Sequence, residues 1–315
     1  MKVVILEDYQ RAAPSLACFS KLAAHDVEVL SAPMKDEAEL AHRIHDREAV
    51  VMIRERTRVT ASLLDRLPNL RLVVQTAKVG PHVDVAACRA RGITVCDGTG
   101  GPGAPAELAW GLILAASRNL VVEAANLRAG RWQGTVGRTL AGRRLGLVGY
   151  SRIAKLLARY AAAFDMSVLV WGRETSIARA KADGLATTAS MPEVFGCDVV
   201  SAMLRLNAET RGIIRYEHLA AMRPDALFVN VSRAELVEPG ALERAIAEGR
   251  PGQAAVDVFM DEPLVGAVPE WLQRPNVTAT PHIGFVAGDN YEKYFGDAFD
   301  AVNAFAAGTP VRVVA

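Results

Sequence analysis

The sequence predicts an α/β fold with two doubly wound parallel-sheet domains. Apolar runs of strand length alternate with helical patterns along most of the 315 residues. The runs are continuously apolar, which is typical of parallel strands covered on both faces. A Gly/Pro-rich break at residues 97–105 divides the series, and the chain is long enough for two cores.

The first series predicts a small doubly wound domain. Its helices are predicted at residues 16–22, 37–44, 62–66 and 85–91, and Gly92 ends the last one. Its strands are predicted at residues 3–6, 27–30, 49–52, 72–75 and 93–96. We assign residues 1–98 to this domain and expect residues 285–315 to return to it. That return comprises a helix near 289–307 and a short end at 311–314.

A second domain is predicted at residues 99–284. Two helical patterns, from residue 106 to about 119 and at 121–129, precede a new strand and helix series. Its strands are predicted at residues 144–148, 168–171, 199–202, 227–231, 253–257 and 277–279.

Composition argues against several classes of function. The formal charge is +1, from 36 Lys and Arg against 35 Asp and Glu, so no basic excess suggests a nucleic-acid partner. No apolar run approaches the roughly 18 residues of a membrane span, and no signal peptide is recognisable. The four cysteines lack metal-ligand spacing, so we expect free thiols, mostly buried, and no metal. A soluble cytoplasmic protein is expected.

A tight turn between a strand and a helix suits the pyrophosphate of a dinucleotide. The segment L-G-L-V-G-Y-S-R-I-A-K places small residues at Gly149, Ser151 and Ala154. Such a turn lets the backbone approach the phosphates at a helix N-terminus, as in a Rossmann-type domain. The candidate cofactor-binding residues are Gly149, Tyr150, Ser151, Arg152 and Ile153. Taken alone, the pattern also fits a turn that serves only packing.

The next strand ends in V-L-V-W-G-R-E, and this end bears on the choice between NAD and NADP. Gly172 stands where an acidic residue would bind the ribose 2′-hydroxyl of NAD, and Arg173 follows. A guanidinium without a carboxylate favours the 2′-phosphate of NADP. The alternative is a solvated Arg173, with Glu174 serving NAD.

Three segments near the C-terminal end each carry one ionisable residue at a strand end. They are N-V-S-R-A-E-L-V with Arg233, V-D-V-F-M-D-E-P-L with Glu262, and T-P-H-I-G with His282. A cation, a carboxylate and an imidazole can together transfer a proton at a carbonyl. Individually, these residues could be a surface ion pair, a turn carboxylate and a loop histidine.

In their order and spacing, these segments resemble the D-isomer-specific 2-hydroxyacid dehydrogenases. The resemblance covers most of the chain and includes V-D-V-A-A-C-R-A-R-G-I-T-V, P-A-E-L-A-W-G-L-I-L-A-A-S-R and D-V-V-S-A-M-L-R-L-N-A-E-T-R-G-I-I. It implies a Rossmann-type cofactor domain, a flavodoxin-like substrate domain and a homodimer formed by the cofactor domain.

The resemblance also implies roles for individual residues. Arg233 would bind the substrate carboxylate, His282 would be the acid and base, and Glu262 would hydrogen-bond the imidazole. Asp257, also open to being a strand-terminating cap, would hold the nicotinamide carboxamide. The loop Lys78, Val79 and Gly80 would bind the substrate carboxylate through backbone N–H groups.

Two departures from the family pattern stand out. Ser151 replaces the second glycine of the turn, where it could crowd the phosphate or donate a hydrogen bond to it. Met203 and Arg205 occupy a segment where many relatives have His and Pro, which bears on substrate size.

The function expected is hydride transfer between NAD or NADP and a small 2-hydroxy acid or 2-keto acid, such as glyoxylate, hydroxypyruvate or a larger acid. Phosphoglycerate oxidation is the second enzymatic candidate. A candidate of another class is a dinucleotide-sensing binding protein.

Overall fold

The structure, a computed structural model, describes residues 1–34 and 36–315. The chain divides into two compact units, one formed by Met1–Gly101 with Val286–Ala315 and the other by Pro102–Phe285. The expected boundaries, after residues 98 and 284, lie slightly earlier in the chain.

Within the described residues, strands and helices alternate through both units. The strands are β1 (Lys2–Ile5), β2 (Asp26–Val29), β3 (Ala49–Met52), β4 (Leu72–Gln75), β5 (Thr94–Asp97), β6 (Arg144–Val148), β7 (Ser167–Trp171), β8 (Ala186–Thr187), β9 (Val199–Ala202), β10 (Leu227–Asn230), β11 (Gln253–Val256) and β12 (Val277–Ala279). The α-helices are α1 (Glu37–Ile44), α2 (Ala61–Leu64), α3 (Val85–Ala90), α4 (Gly103–Ser117), α5 (Leu120–Arg128), α6 (Arg152–Ala163), α7 (Glu174–Ala182), α8 (Met191–Phe195), α9 (Tyr216–Ala220), α10 (Ala241–Ala247) and α11 (Gly288–Ala306).

The first unit contains a five-stranded parallel sheet in the order β2-β1-β3-β4-β5. This is the flavodoxin-like order, which confirms the fold predicted for this part of the chain. Its strands β3 and β4 are buried throughout, as their continuous apolar runs predict. Helix α11 belongs to the same unit, and its Phe299 packs edge-on against Phe19.

The C-terminal end returns to the first sheet, as expected for residues 311–314. Val313 forms an antiparallel bridge with Cys96, and the N–H of Val95 donates to the carbonyl of Ala315 at 2.8 Å.

The second unit contains a seven-stranded parallel sheet in the order β12-β11-β10-β9-β6-β7-β8. Counted from β6, this is the Rossmann order with one further strand beside its sixth, and the Rossmann-type prediction is confirmed. The direction in which strands are added reverses between β6 and β9. In open α/β sheets, ligands bind at the carboxyl ends of the strands beside such a reversal.

Two elements differ from the sequence prediction. The helix predicted at residues 16–22 is a 3₁₀ helix, Ala17–Leu22, and the carboxylate of Glu292 accepts the N–H groups of its first two residues. Strand β8 was not predicted, since two residues at a sheet edge are too short to give a pattern.

The cysteines are free thiols, and Cys88, Cys96 and Cys197 are buried as expected. Burial raises the pKa of Cys88 and of Cys197 to about 11, so both are poor nucleophiles at neutral pH. Among the described residues, no single helix is long and apolar enough to cross a membrane. Helices α4 and α5 reach that length and composition only as a pair bent by 62°.

Candidate active site

The carboxyl edge of the seven-stranded sheet gathers the predicted site residues of the second unit. Strand pairing places Val148, Ala202, Asn230, Val256 and Ala279 in one row at this edge. The site residues just beyond that row are Gly149, Arg233, Asp257 and His282. Adjacent strands lie about 4.8 Å apart, so the loops that follow β10 and β12 are about 10 Å apart.

Gly149 begins the turn between β6 and α6, and only glycine suits its position. Its φ is 100°, a conformation that other residues rarely adopt. A Cβ at this position would lie 2.8 Å from Cδ2 of Leu204, in the loop that follows β9. The turn therefore lies against the loop that follows β9, beside the point where the strand order reverses. A dinucleotide pyrophosphate would lie at this point.

Ser151 is the N-cap of α6. Its Oγ accepts a hydrogen bond from the N–H of Ala154 at 3.2 Å, and its backbone is extended. A serine cap stabilises a helix by about 1 kcal/mol relative to alanine, but only by a few tenths of a kcal/mol relative to glycine. The departure from glycine therefore keeps the helix capped and adds a hydroxyl group at its N-terminus. The hydroxyl keeps its own hydrogen, which could be donated to a phosphate.

The side chains of Tyr150 and Ile153 pack in the core of the second unit. Tyr150 is buried in the core, and its hydroxyl donates to Oδ2 of Asp183 at 2.8 Å. Burial and this hydrogen bond raise the pKa of Tyr150. Ile153 packs against the same core, whereas Arg152 is exposed. Only the backbone of Tyr150 and Ile153 could contact a cofactor.

The end of β7 brings two guanidinium groups close to the turn. Arg173 is the N-cap residue of α7 and lies 3.3 Å from Oε2 of Glu209, in an exposed pair of little energetic weight. Arg179, nearly two turns further along the helix, donates to the carbonyl of Tyr150 at 3.0 Å. A Cβ on Gly172 would lie 3.0 Å from Cβ of Ser176, so this strand end is tightly packed.

The imidazole of His282 and the carboxylate of Glu262 form a hydrogen-bonded pair, as predicted. Nδ1 of His282 lies 2.5 Å from Oε2 of Glu262. The other oxygen, Oε1, accepts the N–H of Phe259 at 2.8 Å, so the carboxylate is held at both ends. The ring of Phe285 packs edge-on against the imidazole. Across the described residues, no group is hydrogen-bonded to Nε2, which leaves that nitrogen available for proton exchange.

Asp257 fixes the loop that carries His282. Its carboxylate accepts hydrogen bonds from the hydroxyl of Thr280 at 2.6 Å and from the N–H groups of Ile283 and Gly284, both at 2.8 Å. The residue is fully buried, and that burial raises its pKa. Three hydrogen bonds leave about one acceptor position of the carboxylate unused, so the predicted contact between Asp257 and a nicotinamide carboxamide stays a prediction.

A short hydrogen-bonded turn positions Arg233 after β10. The side-chain amide of Asn230 donates to the carbonyl of Arg233 at 2.9 Å, and its oxygen accepts the N–H of Ser232 at 3.1 Å. The hydroxyl of Ser232 donates to the carbonyl of Leu204 at 2.7 Å. Because Leu204 also packs on Gly149, contacts connect the Arg233 loop to the dinucleotide turn.

Met203 is one of the two residues at which this segment departs from the family pattern. It is buried in the apolar core, and its N–H donates to the carbonyl of Val148 at 2.9 Å. Arg205 is exposed in the same segment. Of the two residues, Arg205 is therefore the one whose side chain is accessible to a ligand.

In the first unit, the loop Lys78, Val79 and Gly80 follows β4. The ammonium group of Lys78 lies 2.8 Å from Oδ1 of Asp97, although its side chain is largely exposed. A Cβ on Gly80 would lie 3.2 Å from Nδ1 of His82, so His82 supports this loop from within the unit. Nε2 of His82 in turn hydrogen-bonds Oε1 of the buried Gln75 at 3.2 Å.

Sequence reasoning missed the residues that orient the site. Asn230, Ser232 and Thr280 act through hydrogen bonds to the loops of Arg233 and His282. The available signal was a polar side chain placed at or just after an otherwise apolar strand.

Replacing Asp257 with Asn should destabilise the loop of His282. Asn has one carbonyl oxygen, so the N–H of Ile283 or of Gly284 would be left buried without an acceptor. We expect the free energy of unfolding to fall by about 1–3 kcal/mol in urea titrations. Amide exchange at these two positions should become faster. The exposed Asp261→Asn, as a control, should change stability by less than about 0.5 kcal/mol. Unchanged stability and exchange in Asp257→Asn would contradict the assigned role.

Comparison with known proteins gives one consistent family. Residues 110–284 match the family model described as D-isomer specific 2-hydroxyacid dehydrogenase, NAD binding domain. A hydroxypyruvate reductase of Thermotoga maritima is 32% identical over 75% of this chain and 77% of its own length. A D-3-phosphoglycerate dehydrogenase of Mycobacterium bovis is 31% identical over 98% of this chain, which spans 57% of that relative.

Solved structures agree with this result. The crystal structure of a phosphoglycerate oxidoreductase from Vibrio cholerae O395 superimposes with a TM-score of 0.94 at 47% identity, over 98% of this chain and 99% of that one. With the two sheet orders and the paired His282 and Glu262, these similarities identify the chain as a member of the D-isomer specific 2-hydroxyacid dehydrogenase family.

Proposed function

We propose that the protein transfers a hydride between a nicotinamide dinucleotide and a small 2-hydroxy acid or 2-keto acid. The observation that carries this proposal is the imidazole of His282, held through Nδ1 by Glu262 at the carboxyl edge of the sheet. Relatives named hydroxypyruvate reductase and glyoxylate reductase support small 2-keto acids as substrates. A binding protein that only senses a dinucleotide would have no need of this acid and base pair.

The structure fits a dinucleotide at the turn after β6. Gly149 leaves the space that a Cβ would fill, and the extended Ser151 starts a helix whose N-terminus attracts anions. The residues that would hold the cofactor are Gly149, Ser151 and Arg152, with backbone contacts from Tyr150 and Ile153. When bound, the nicotinamide ring supplies or accepts the hydride.

His282 moves the proton in this proposal. Because Glu262 accepts the hydrogen on Nδ1, Nε2 is the nitrogen that faces the substrate oxygen. In reduction, Nε2–H donates its proton to the oxygen as the carbonyl carbon gains the hydride. In oxidation, the neutral Nε2 takes the hydroxyl proton. The carboxylate stabilises the imidazolium between these steps.

Arg233 and the loop of the first unit would bind the substrate. A guanidinium presents paired donors that match a carboxylate, and its charge also polarises the neighbouring carbonyl. The backbone N–H groups around Lys78, Val79 and Gly80 are also proposed to bind a substrate carboxylate. On this basis the unit that contains Met1–Gly101 is proposed as the substrate domain, and Pro102–Phe285 as the cofactor domain.

Phosphoglycerate oxidation is the second candidate. Two comparisons favour it, the mycobacterial phosphoglycerate dehydrogenases matched over 98% of this chain and the Vibrio oxidoreductase at 47% identity. Assays of 3-phosphoglycerate beside glyoxylate and hydroxypyruvate separate the candidates, with nicotinamide absorbance as the readout. If 3-phosphoglycerate is turned over and neither glyoxylate nor hydroxypyruvate is, phosphoglycerate oxidation replaces the reduction of small 2-keto acids as the proposed function.

NADP is proposed as the preferred cofactor. Gly172 offers no carboxylate to a ribose 2′-hydroxyl, and the exposed guanidinium of Arg173 stands at the start of α7. Arg179 adds a second positive charge near the same strand end.

A homodimer is proposed from an exposed apolar surface on and after α5. Leu120, Val121 and Leu127 are 54%, 59% and 63% exposed, and Trp132 is 79% exposed. Apolar surface of this extent commonly marks a protein interface. We expect a dimer in sedimentation velocity at micromolar concentration, and a monomer would contradict this proposal.

Replacing His282 with Ala should lower kcat for the best 2-keto acid by about 10²- to 10⁴-fold, because the proton donor is lost. Cofactor affinity, measured by fluorescence titration, should stay within about twofold. As a matched control, exposed His42→Ala on α1 should leave kcat unchanged. Full turnover in the His282 variant would refute the proton role.

Replacing Arg173 with Ala should raise the KM for NADPH by about 10- to 100-fold, since a charge-assisted hydrogen bond is worth about 1.5–3 kcal/mol. The KM for NADH should change little. Lys181→Ala removes a charge from the exposed face of the same helix and serves as the control. The NADP preference is wrong if the wild-type protein uses NADH as well as or better than NADPH.

A further inference from the structure

A cavity of about 370 Å³ lies within the Pro102–Phe285 unit and has no part in the proposed reaction. It is lined by residues from the ends of β10 and β11, the start of α10 and the segment before β12. Its volume falls within the range of small-molecule sites. Phe259, Met260 and Asp261, which immediately precede Glu262, form part of its wall.

The chemistry of the cavity wall is distinctive. Val256, Leu242, Phe259 and Trp271 supply apolar surface for a compact hydrophobic group. Every charged residue that lines the cavity within the described parts of the chain is a carboxylate, namely Glu238, Glu243 and Asp261.

Two of these carboxylates, the half-buried Glu243 and the exposed Asp261, differ from Glu238 in their contacts. Glu238 accepts the backbone N–H of Tyr216 at 3.1 Å. For residues 1–34 and 36–315, the structure shows no cation in contact with Glu243 or Asp261. An apolar wall with unpaired carboxylates complements a ligand that carries a positive charge on an apolar body.

The cavity wall also contacts the proposed catalytic groups. The N–H of Phe259 donates to Oε1 of Glu262 at 2.8 Å, and Glu262 holds His282. Asn230, another lining residue, donates to the carbonyl of Arg233 at 2.9 Å. A ligand that moves Phe259 or Asn230 would therefore move a group that orients the acid and base or the substrate cation.

We propose that this cavity is a regulatory site for a small organic cation with an aromatic or aliphatic body, such as an arylalkylammonium ion. Its occupation changes turnover through the Phe259–Glu262 hydrogen bond. The binding part stands on the cavity alone, whereas the effect on turnover rests on the proposed function.

Phenethylamine is a suitable probe, and 3-phenylpropanoate is its matched anion with a similar body. Isothermal titration calorimetry with the wild-type protein should show saturable binding of phenethylamine, at least tenfold tighter than that of the anion. Tryptophan emission should change on binding, and Trp271→Phe should abolish that change. Equal affinity for the cation and the anion would overturn the proposed site.

Variants separate the site from general charge effects. The double variant Glu243→Gln and Asp261→Asn should weaken phenethylamine binding at least tenfold. Glu39→Gln, on the exposed surface of α1, should leave the binding unchanged. Unaltered affinity in the double variant would also overturn the site.

Turnover then tests regulation separately. In the wild-type protein, saturating phenethylamine should change kcat for the best 2-keto acid at least twofold, and the double variant should lose this response at the same concentration. If phenethylamine binds without any change in kcat, the proposed regulation is overturned, whereas the proposed binding site is not. Absence of turnover with every 2-keto acid would contradict the proposed function, and calorimetry would still decide the binding.

Discussion

The buried carboxylate of Asp257 is the contact on which the candidate active site most depends. It accepts three hydrogen bonds from the loop of residues 280–284, and so fixes a turn in which His282 has a φ of 50°. A left-handed conformation at a residue other than glycine is unfavourable and persists only where neighbouring contacts impose it. With the backbone held, Glu262 needs to fix only the ring of His282.

Both units place unusual backbone at the carboxyl ends of their strands. In the first unit, Arg54 and Ala77 have positive φ just after β3 and β4, and the N–H of Gly98 donates to the carbonyl of Ala77 at 2.8 Å. In the second unit, Gly149 and His282 share this property. Because the strands of a parallel sheet end at the same edge, the loops that follow them lie together there and can face a ligand.

Much of the fold could be predicted from the sequence because parallel strands buried on both faces leave continuous apolar runs. Strands β3, β4 and β9 match their predicted bounds for this reason. The pairing of Glu262 with His282 was also predictable, although only through family resemblance, since 20 residues separate them.

Side-chain direction was the part that the sequence could not supply. Tyr150 lies in a motif for cofactor binding, yet its ring is buried in the core. The hydroxyl group of Tyr150 donates there to the carboxylate of Asp183, at the end of α7. The hydrogen bonds that Asp257 accepts from a loop more than 20 residues later were likewise not predicted. Both outcomes depend on contacts between distant segments, which a local pattern does not encode.

The central claim is that Glu262 fixes His282 with hydrogen on Nδ1 and leaves Nε2 to exchange protons. The most direct test is ¹⁵N NMR of the imidazole in protein labelled at histidine, with His282 assigned by its absence in His282→Gln. The account predicts that the neutral ring carries its hydrogen on Nδ1, with a strongly deshielded proton in that hydrogen bond. A neutral ring with its hydrogen on Nε2 would contradict the account.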